Sequence, residues 1–182
     1  LTQLIGKECG PDVTFVQRIF TTSCDWIRSD VVLTFAIAIV FLGMSAAVFG
    51  HWLEKAGPRK AGFAAALAWG GGLMITSLGA SFHQLWLIWL GMGVIGGIGL
   101  GLGYISPVST LIKWFPDRRG LATGMAIMGF GGGAMIGMPL GDSLITSYGV
   151  SNTFFIMGCI YVVSMSIGAF GYRVPAEGWK PE

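Results

Sequence analysis

Charged residues are scarce in this sequence, and their scarcity restricts its class. Of its 182 residues only 11% are charged, whereas 53% are hydrophobic. A soluble domain carries roughly 25% charged residues, so an ordinary globular domain is excluded. The net charge of +2 is too small and too dispersed for a nucleic-acid-binding surface. The sequence therefore predicts no nucleic-acid partner.

Metal ligands and catalytic groups are also few. The only histidines, His51 and His83, lie at opposite ends of predicted helices, a membrane thickness apart, and cannot share a site. No nucleophile elbow occurs. The cysteines at positions 9, 24 and 159 form no cluster with metal-ligand spacing. We therefore expect neither an enzyme nor a bound metal or cofactor.

Long apolar runs, in contrast, dominate the chain. A membrane-spanning helix needs roughly 20 apolar residues, and none of these runs alternates as the strands of a membrane barrel would. The sequence therefore predicts an all-α membrane protein, a polytopic helical bundle in the lipid bilayer. Its five apolar runs are Val31–Gly50, Ala61–Phe82, Leu85–Ile112, Leu121 to about Tyr148, and Thr153–Tyr172.

The connections between the runs differ in charge. His51–Lys60 and Lys113–Gly120 contain lysine and arginine, as does the tail after Tyr172, whereas Ser81–Gln84 and Ser147–Asn152 contain neither. Short basic loops remain on the cytoplasmic side of a membrane. This pattern predicts a multi-pass protein of the plasma (inner) membrane with residue 182 in the cytoplasm.

The same rule divides the chain into three parts. We expect an extracytoplasmic leader at residues 1–30, a five-helix transmembrane bundle at 31–172 and the start of a cytoplasmic linker at 173–182. A leader outside the cell lies in an oxidising compartment, where a disulfide between Cys9 and Cys24 can persist. Two unpaired thiols are the alternative.

Glycines in the third run match the spacing of a dinucleotide-binding fingerprint at Gly91, Gly93 and Gly96. No strand precedes them and no acidic residue follows at the required distance, so a nucleotide site is rejected. Helix packing explains the glycines better, because small residues at every fourth position let two helices approach closely. Two such series occur: Gly93, Gly97 and Gly101 in the third run, and Gly129, Gly133, Gly137 and Gly141 in the fourth. They suit either helices that bend and slide or a tight bundle without moving parts.

Asp142 is the one charged residue inside a predicted span, near its outer end. A buried carboxylate there would be a functional candidate. Its depth favours a side chain that extends to the outer water.

The loop after the first run carries the most informative pattern. Residues 50–60 read GHWLEKAGPRK: an acid at a helix end, a glycine turn, then paired bases. This resembles the loop signature of the major facilitator superfamily, G-x-L-x-D-R-x-G-R-R. Glu54 stands for the aspartate, Lys55 for the first arginine, and Pro58 is an additional residue. The matching positions are Gly50, Glu54, Gly57, Arg59 and Lys60.

The fourth run supports the same resemblance. Gly124, Gly133 and Gly137 match the family's fifth-helix antiporter motif and are followed by Gly141, although the proline is displaced to position 139. The family's fourth helix often carries an arginine linked to proton coupling, where this chain has Gly93. The pattern therefore argues against a drug/proton antiporter of the common kind.

A closer resemblance is to the oxalate/formate antiporter family and its monocarboxylate-transporter relatives. It is carried by the stretches WIRSD at 26–30, GPR at 57–59, GYISPV at 103–108 and KWFPDRRGLATG at 113–124. It implies helices two to six of a facilitator N-terminal half that lacks the first helix. The expected partners are that first helix and the C-terminal half of the same transporter.

What this resemblance implies is secondary transport of a small organic anion, such as a mono- or dicarboxylate, by exchange or proton symport. Tyr104 and Ser106 are the predicted substrate contacts, because they are polar groups in an apolar helix. Glu54 and Asp117 are expected to act as latches across the seam between the halves, together with neighbouring bases Arg118 and Arg119. The alternatives are that these charges only set topology, and that the chain is a structural or partner-binding subunit without transport activity.

Overall fold

The computed structural model describes residues 15–20, 26 and 28–175. Those residues form helices joined by short turns, and no strand occurs among them. Cys9 and Cys24 lie outside the described residues. The helices are α1 (Phe15–Phe20), α2 (Arg28–Ala56), α3 (Pro58–Ser81), α4 (Leu85–Trp114) and α5 (Arg119–Gly171), with a 3-10 turn at Pro116–Arg118 before α5.

Four of these helices, α2 to α5, are long and apolar enough to cross a membrane. The predicted all-α membrane class is therefore confirmed. The first three apolar runs lie in α2, α3 and α4, and the fourth and fifth lie together in α5. The short helix α1 falls within the predicted leader, and α2 already begins at Arg28.

A break at Gly149 divides α5 into two spanning arms. Gly149 has φ 78° and ψ 167°, a left-handed backbone conformation that glycine adopts readily because it lacks a Cβ. We call residues 119–148 the first arm and residues 150–171 the second arm. Gly137 and Tyr161, which are equally far from the break, lie against each other, so the arms are antiparallel. Each arm exceeds the roughly 20 residues that a span requires.

Helix α4 lies between α2 and α3 and presents a glycine face to each. On its α3 side, a Cβ at Gly72 would overlap the carbonyl oxygen of Gly91. Residues Trp89–Ile95 form a π-helical stretch at this contact. Such insertions are rare and often occur at functional positions. The backbones of α3 and α4 are therefore in direct contact at the one segment where the helix departs from α geometry.

The other glycine face of α4 lies on α2. A Cβ on Gly97 would be 2.6 Å from the carbonyl oxygen of Ala38, and one on Gly93 would be 2.9 Å from a methyl carbon of Ile37. A Cβ on Gly101 would overlap the Ser45 hydroxyl. The structure thus places Gly93, Gly97 and Gly101 where no side chain larger than hydrogen fits without movement.

The second arm of α5 packs on α3 through small and hydroxyl residues. A Cβ on Gly70 would overlap the Val162 side chain. Nearer the α3–α4 turn, the Ser77 hydroxyl donates to the Ser151 carbonyl oxygen at 2.7 Å, and the Ser151 hydroxyl donates back to the Ser77 carbonyl at 2.8 Å. These reciprocal hydrogen bonds tie the second arm to α3.

The first arm is the most exposed spanning segment among the described residues. Met135 is 81% and Met138 75% exposed. The glycines Gly124, Gly129, Gly133 and Gly141 would each meet no atom within 4 Å of an added Cβ, and only Gly137 has a neighbour, the Tyr161 hydroxyl. A packing role for these four glycines requires a partner beyond the described chain and stays a prediction.

Candidate functional site

A cleft between α4 and the first arm of α5 is the candidate ligand site. It consists of two adjoining cavities of about 290 and 330 Å³ that share Gly103, Gly129 and Phe130. Glycines line both walls, so the backbone forms much of the surface. Pockets for small ligands occupy roughly 300–1,000 Å³ and are mostly apolar with a few polar groups. This cleft fits that description.

Aromatic side chains from four segments also line the cleft. Tyr104 on α4 meets Phe130 on the first arm edge to face, with ring centroids 6.3 Å apart. At the other end of the cleft, Trp69 on α3 meets Tyr161 on the second arm at 6.2 Å. The side chains that line the cleft therefore include two phenols and one indole as polar groups, and no charged residue lines either cavity.

The two residues predicted to contact substrate lie in different environments. Tyr104 lines the cleft. Ser106 is fully buried and its hydroxyl donates to the Leu102 carbonyl oxygen at 2.7 Å. Serine hydroxyls in helices often bond the carbonyl four residues earlier. The structure thus brings Tyr104, but not Ser106, to the cleft surface.

The ends of the helices that carry the basic loops meet at one end of the bundle. There the Arg59 Nε donates to the carbonyl oxygen of Tyr172, and the Trp114 Nε1 donates to that of Arg173 at 2.8 Å. Two consecutive carbonyls after α5 are thereby bound to the start of α3 and the end of α4. These two hydrogen bonds hold the chain in place where it leaves the second arm.

The predicted latch residues lie at this same end. Glu54, Asp117, Arg118 and Arg119 are all exposed, and within the described part of the chain neither Glu54 nor Asp117 forms an ion pair. Lys60 is exposed at the start of α3, and Gly57 forms the turn into it with φ 85°. Gly50 lies inside α2, one helical turn before Glu54. The loop motif therefore covers the end of α2 and the start of α3.

Asp142, the predicted intramembrane acid, is exposed on the first arm two turns before Gly149. Sequence reasoning missed a different carboxylate. Asp30, in the first turn of α2, is 4% exposed, and its carbonyl oxygen accepts a hydrogen bond from the Trp89 indole at 3.1 Å. Nearby, Trp26 stacks on His83 with ring centroids 4.2 Å apart. The polar stretch before α2 gave no signal of this burial.

Fold and cleft together define a multi-pass helical membrane protein with a small, uncharged cavity between its helices. Comparison with known proteins agrees with this class. The model of the Major Facilitator Superfamily matches residues 13–182. The chain belongs to this superfamily, as its loop motifs predicted.

Individual relatives narrow the comparison. An uncharacterized MFS-type transporter of Escherichia coli K12, YhjX, is 31% identical over 141 residues, which cover 78% of this chain and 34% of the relative. The oxalate:formate antiporter of Oxalobacter formigenes is 31% identical over 133 residues, 70% of this chain and 30% of that protein. Monocarboxylate transporter 9 of Rattus norvegicus is 32% identical over 99 residues, which cover 54% of this chain and 19% of that protein. The chain thus spans at most about a third of these relatives' length.

Proposed function

We propose that this protein takes part in secondary active transport of a small organic anion, a mono- or dicarboxylate, by exchange or proton symport. The observation that carries the proposal is the similarity to an oxalate:formate antiporter over 70% of the chain. A monocarboxylate transporter matches over 54%. The cleft between α4 and the first arm supplies a cavity of suitable size, with the Tyr104 phenol on its wall.

The chemistry of the cleft indicates which groups an anionic substrate requires beyond those that the cleft supplies. An anion near the membrane midplane must replace its hydration with cations, dipoles or hydrogen-bond donors, because an unpaired charge there costs at least about 2.5–3.5 kcal/mol. Tyr104 and Tyr161 supply hydroxyl donors, but no lysine or arginine lines the cavities. We therefore infer that the cationic groups come from another part of the transporter.

Architecture supports the same inference. Transporters of this class move substrate by rocking one repeat against another around a midplane site. The exposed face of the first arm, which carries Met135 and Met138, is the surface that a second half would contact. In this arrangement Glu54 and Asp117 pair with bases of the other half when the cytoplasmic side is closed, and separate when that side opens.

The basic end of the bundle faces the cytoplasm in this proposal, following the positive-inside rule. Labelling with a membrane-impermeant thiol reagent tests this on intact cells, in a background without native cysteines. Gln84→Cys, at the α3–α4 turn, should react, whereas Lys55→Cys, at the end of α2, should react only after the cells are permeabilised. The reverse result would contradict both the orientation and the correspondence with the family.

The substrate proposal is tested by Tyr104→Phe in the intact transporter that contains these residues. A hydrogen bond to a charged group contributes roughly 1.5–3 kcal/mol, so KM for the carboxylate should rise by about 10- to 150-fold. Uptake of labelled oxalate, formate and lactate into proteoliposomes, under exchange and under a proton gradient, measures KM. Tyr148→Phe is the matched control, since Tyr148 is 60% exposed and outside the cleft.

Ser106→Ala provides a second comparison within the same experiment. A substrate role requires the Ser106 hydroxyl to leave the Leu102 carbonyl, and the variant would then raise KM as well. An intact transporter that shows no saturable uptake of any carboxylate would contradict the proposal and favour the partner-binding subunit.

A further inference from the structure

Two adjoining cavities at the start of α3 share the side chains of Arg59 and Lys60. One, of about 410 Å³, lies between α3 and the second arm of α5, beside Phe63, Ala169 and Phe170. The other, of about 490 Å³, lies at the helix ends beside Gly57, Tyr172 and Arg173. Together they form a continuous surface with an apolar part along the helices and a basic part at the bundle end.

The apolar part is built for contact with a hydrocarbon chain. Phe63 and Phe170 meet edge to face with ring centroids 6.5 Å apart. Both rings are open to the surroundings, Phe63 by 42% and Phe170 by 74%. Phe63 lies just over one helical turn inside α3 and Phe170 in the last turn of the second arm, so this part of the surface lies at the edge of the apolar layer of the membrane.

The basic part carries positive charge without a compensating acid. Arg59, Lys60 and Arg173 line it, and no aspartate or glutamate does. Because the Arg59 Nε donates to the Tyr172 carbonyl, the guanidinium is held at the cavity. The start of α3 also has no side-chain cap, so its amide groups and helix dipole add to the positive potential.

We propose that this surface binds an anionic phospholipid, with the phosphate on Arg59 and Lys60 and an acyl chain along Phe63 and Phe170. Basic pockets between membrane helices at the bilayer surface favour anionic headgroups. The proximity of a two-ring apolar wall to the bases matches the shape of a lipid, which has a charged head and an attached chain. The proposal depends on the membrane-spanning fold and is independent of which substrate is transported.

Native mass spectrometry of the purified protein tests the proposal directly by counting bound lipids. The protein is titrated with phosphatidylglycerol and, separately, with phosphatidylcholine of the same acyl chains. The double variant Arg59→Gln with Lys60→Gln should weaken retention of phosphatidylglycerol by about 30-fold, since each base near an anionic surface contributes on the order of 1 kcal/mol. Lys60→Gln alone, which leaves the Arg59–Tyr172 hydrogen bond intact, should weaken it by about fivefold.

Matched controls distinguish a specific lipid-binding site from a general effect of surface charge. Arg118→Gln with Arg119→Gln removes the same charge at the same end of the bundle but outside both cavities, and should leave retention unchanged. Phe170→Ala should weaken retention of both lipids, whereas Phe155→Ala, equally on the second arm and 53% exposed, should not. Equal retention of the two lipids by the parent protein, or equal losses in the site and control variants, would overturn the proposal.

Discussion

Helix α4 and the first arm of α5 carry glycines at nearly the same spacing, but the two helices differ in what lies next to those glycines. In α4, Gly93, Gly97 and Gly101 recur every fourth residue and lie against the backbone of α2. In the first arm, Gly129, Gly133 and Gly141 continue the same spacing, yet nothing among the described residues lies within 4 Å of an added Cβ. The first series is buried against a neighbouring helix, whereas Gly129 and Gly133 of the second line the open cleft beside α4.

This difference shows what a small-residue series does and does not specify. Glycine at every fourth position produces a groove on a helix face, which lets another helix approach closely. The groove does not specify the partner. For α4 the partner is α2, whereas the glycine groove of the first arm opens onto the cleft beside α4 and no helix fills it among the described residues.

The largest effect should come from filling the exposed groove in the intact transporter. Gly133→Leu with Gly137→Leu should abolish transport while leaving membrane insertion unchanged, because the added side chains would fill the cleft at Gly133 and displace the Tyr161 hydroxyl beside Gly137. Uptake into proteoliposomes, with surface expression as the control, measures this. If leucine at both positions leaves uptake at the parent level, the open groove has no part in transport and the contrast with α4 carries no functional meaning.

Filling the buried groove should instead destabilise this bundle itself. A Cβ on Gly97 would be 2.6 Å from the carbonyl oxygen of Ala38 and 2.9 Å from the Phe41 Cβ. Gly97→Leu should therefore cost about 3 kcal/mol of unfolding free energy, the upper end for overpacking, because backbone cannot rotate aside. Reversible unfolding in mixed micelles gives the value.

The matched control for that experiment is Gly43→Leu on the partner helix α2, where nothing lies within 4 Å of an added Cβ. Its unfolding free energy should stay within about 0.5 kcal/mol of the parent. Equal effects of the two substitutions would contradict the packing described for α4.

A smaller effect is expected at the second arm, which is held by hydroxyl groups instead of glycine contacts alone. Ser77→Ala removes one of the two reciprocal hydrogen bonds with Ser151 and leaves the other, which uses the Ser77 carbonyl oxygen, in place. Interhelical hydrogen bonds in membranes contribute about 0.6 kcal/mol on average, so the unfolding free energy should fall by that amount. Ser164→Ala is the control, since its hydroxyl bonds only within its own helix. Identical losses would mean that the serine pair does not tie the arm to α3.

Much of the fold could be predicted because the bilayer imposes strong rules on sequence. Backbone polar groups in lipid must bond internally, so long apolar runs become helices. The predicted runs lie in the observed helices, and the connection predicted at Ser147–Asn152 contains the break at Gly149. Gly91, Gly93 and Gly96, which match the spacing of a nucleotide fingerprint, lie against neighbouring helices.

Less of the candidate site could be predicted, because its contacts join residues far apart in sequence. Tyr104 was identified as a polar group in an apolar helix, but its edge-to-face neighbour Phe130 was not. Ser106 carries the same signal and is buried, since helix rotation puts residues two apart on different faces. The π-helical stretch of α4 gave no sequence signal, because glycine contacts with α3 occur there only after packing.

By itself the sequence determined that this protein is a helical membrane bundle of the facilitator type, because hydrophobic length, loop charge and short motifs are local properties. Only the tertiary structure decided which glycine series is filled, that Arg59 holds the chain after α5, and that Arg59 and Lys60 adjoin an aromatic wall. Those outcomes depend on which helix faces meet. In a bilayer, close packing and interhelical hydrogen bonds decide which helix faces pack together, because apolar side chains alone prefer no particular neighbour.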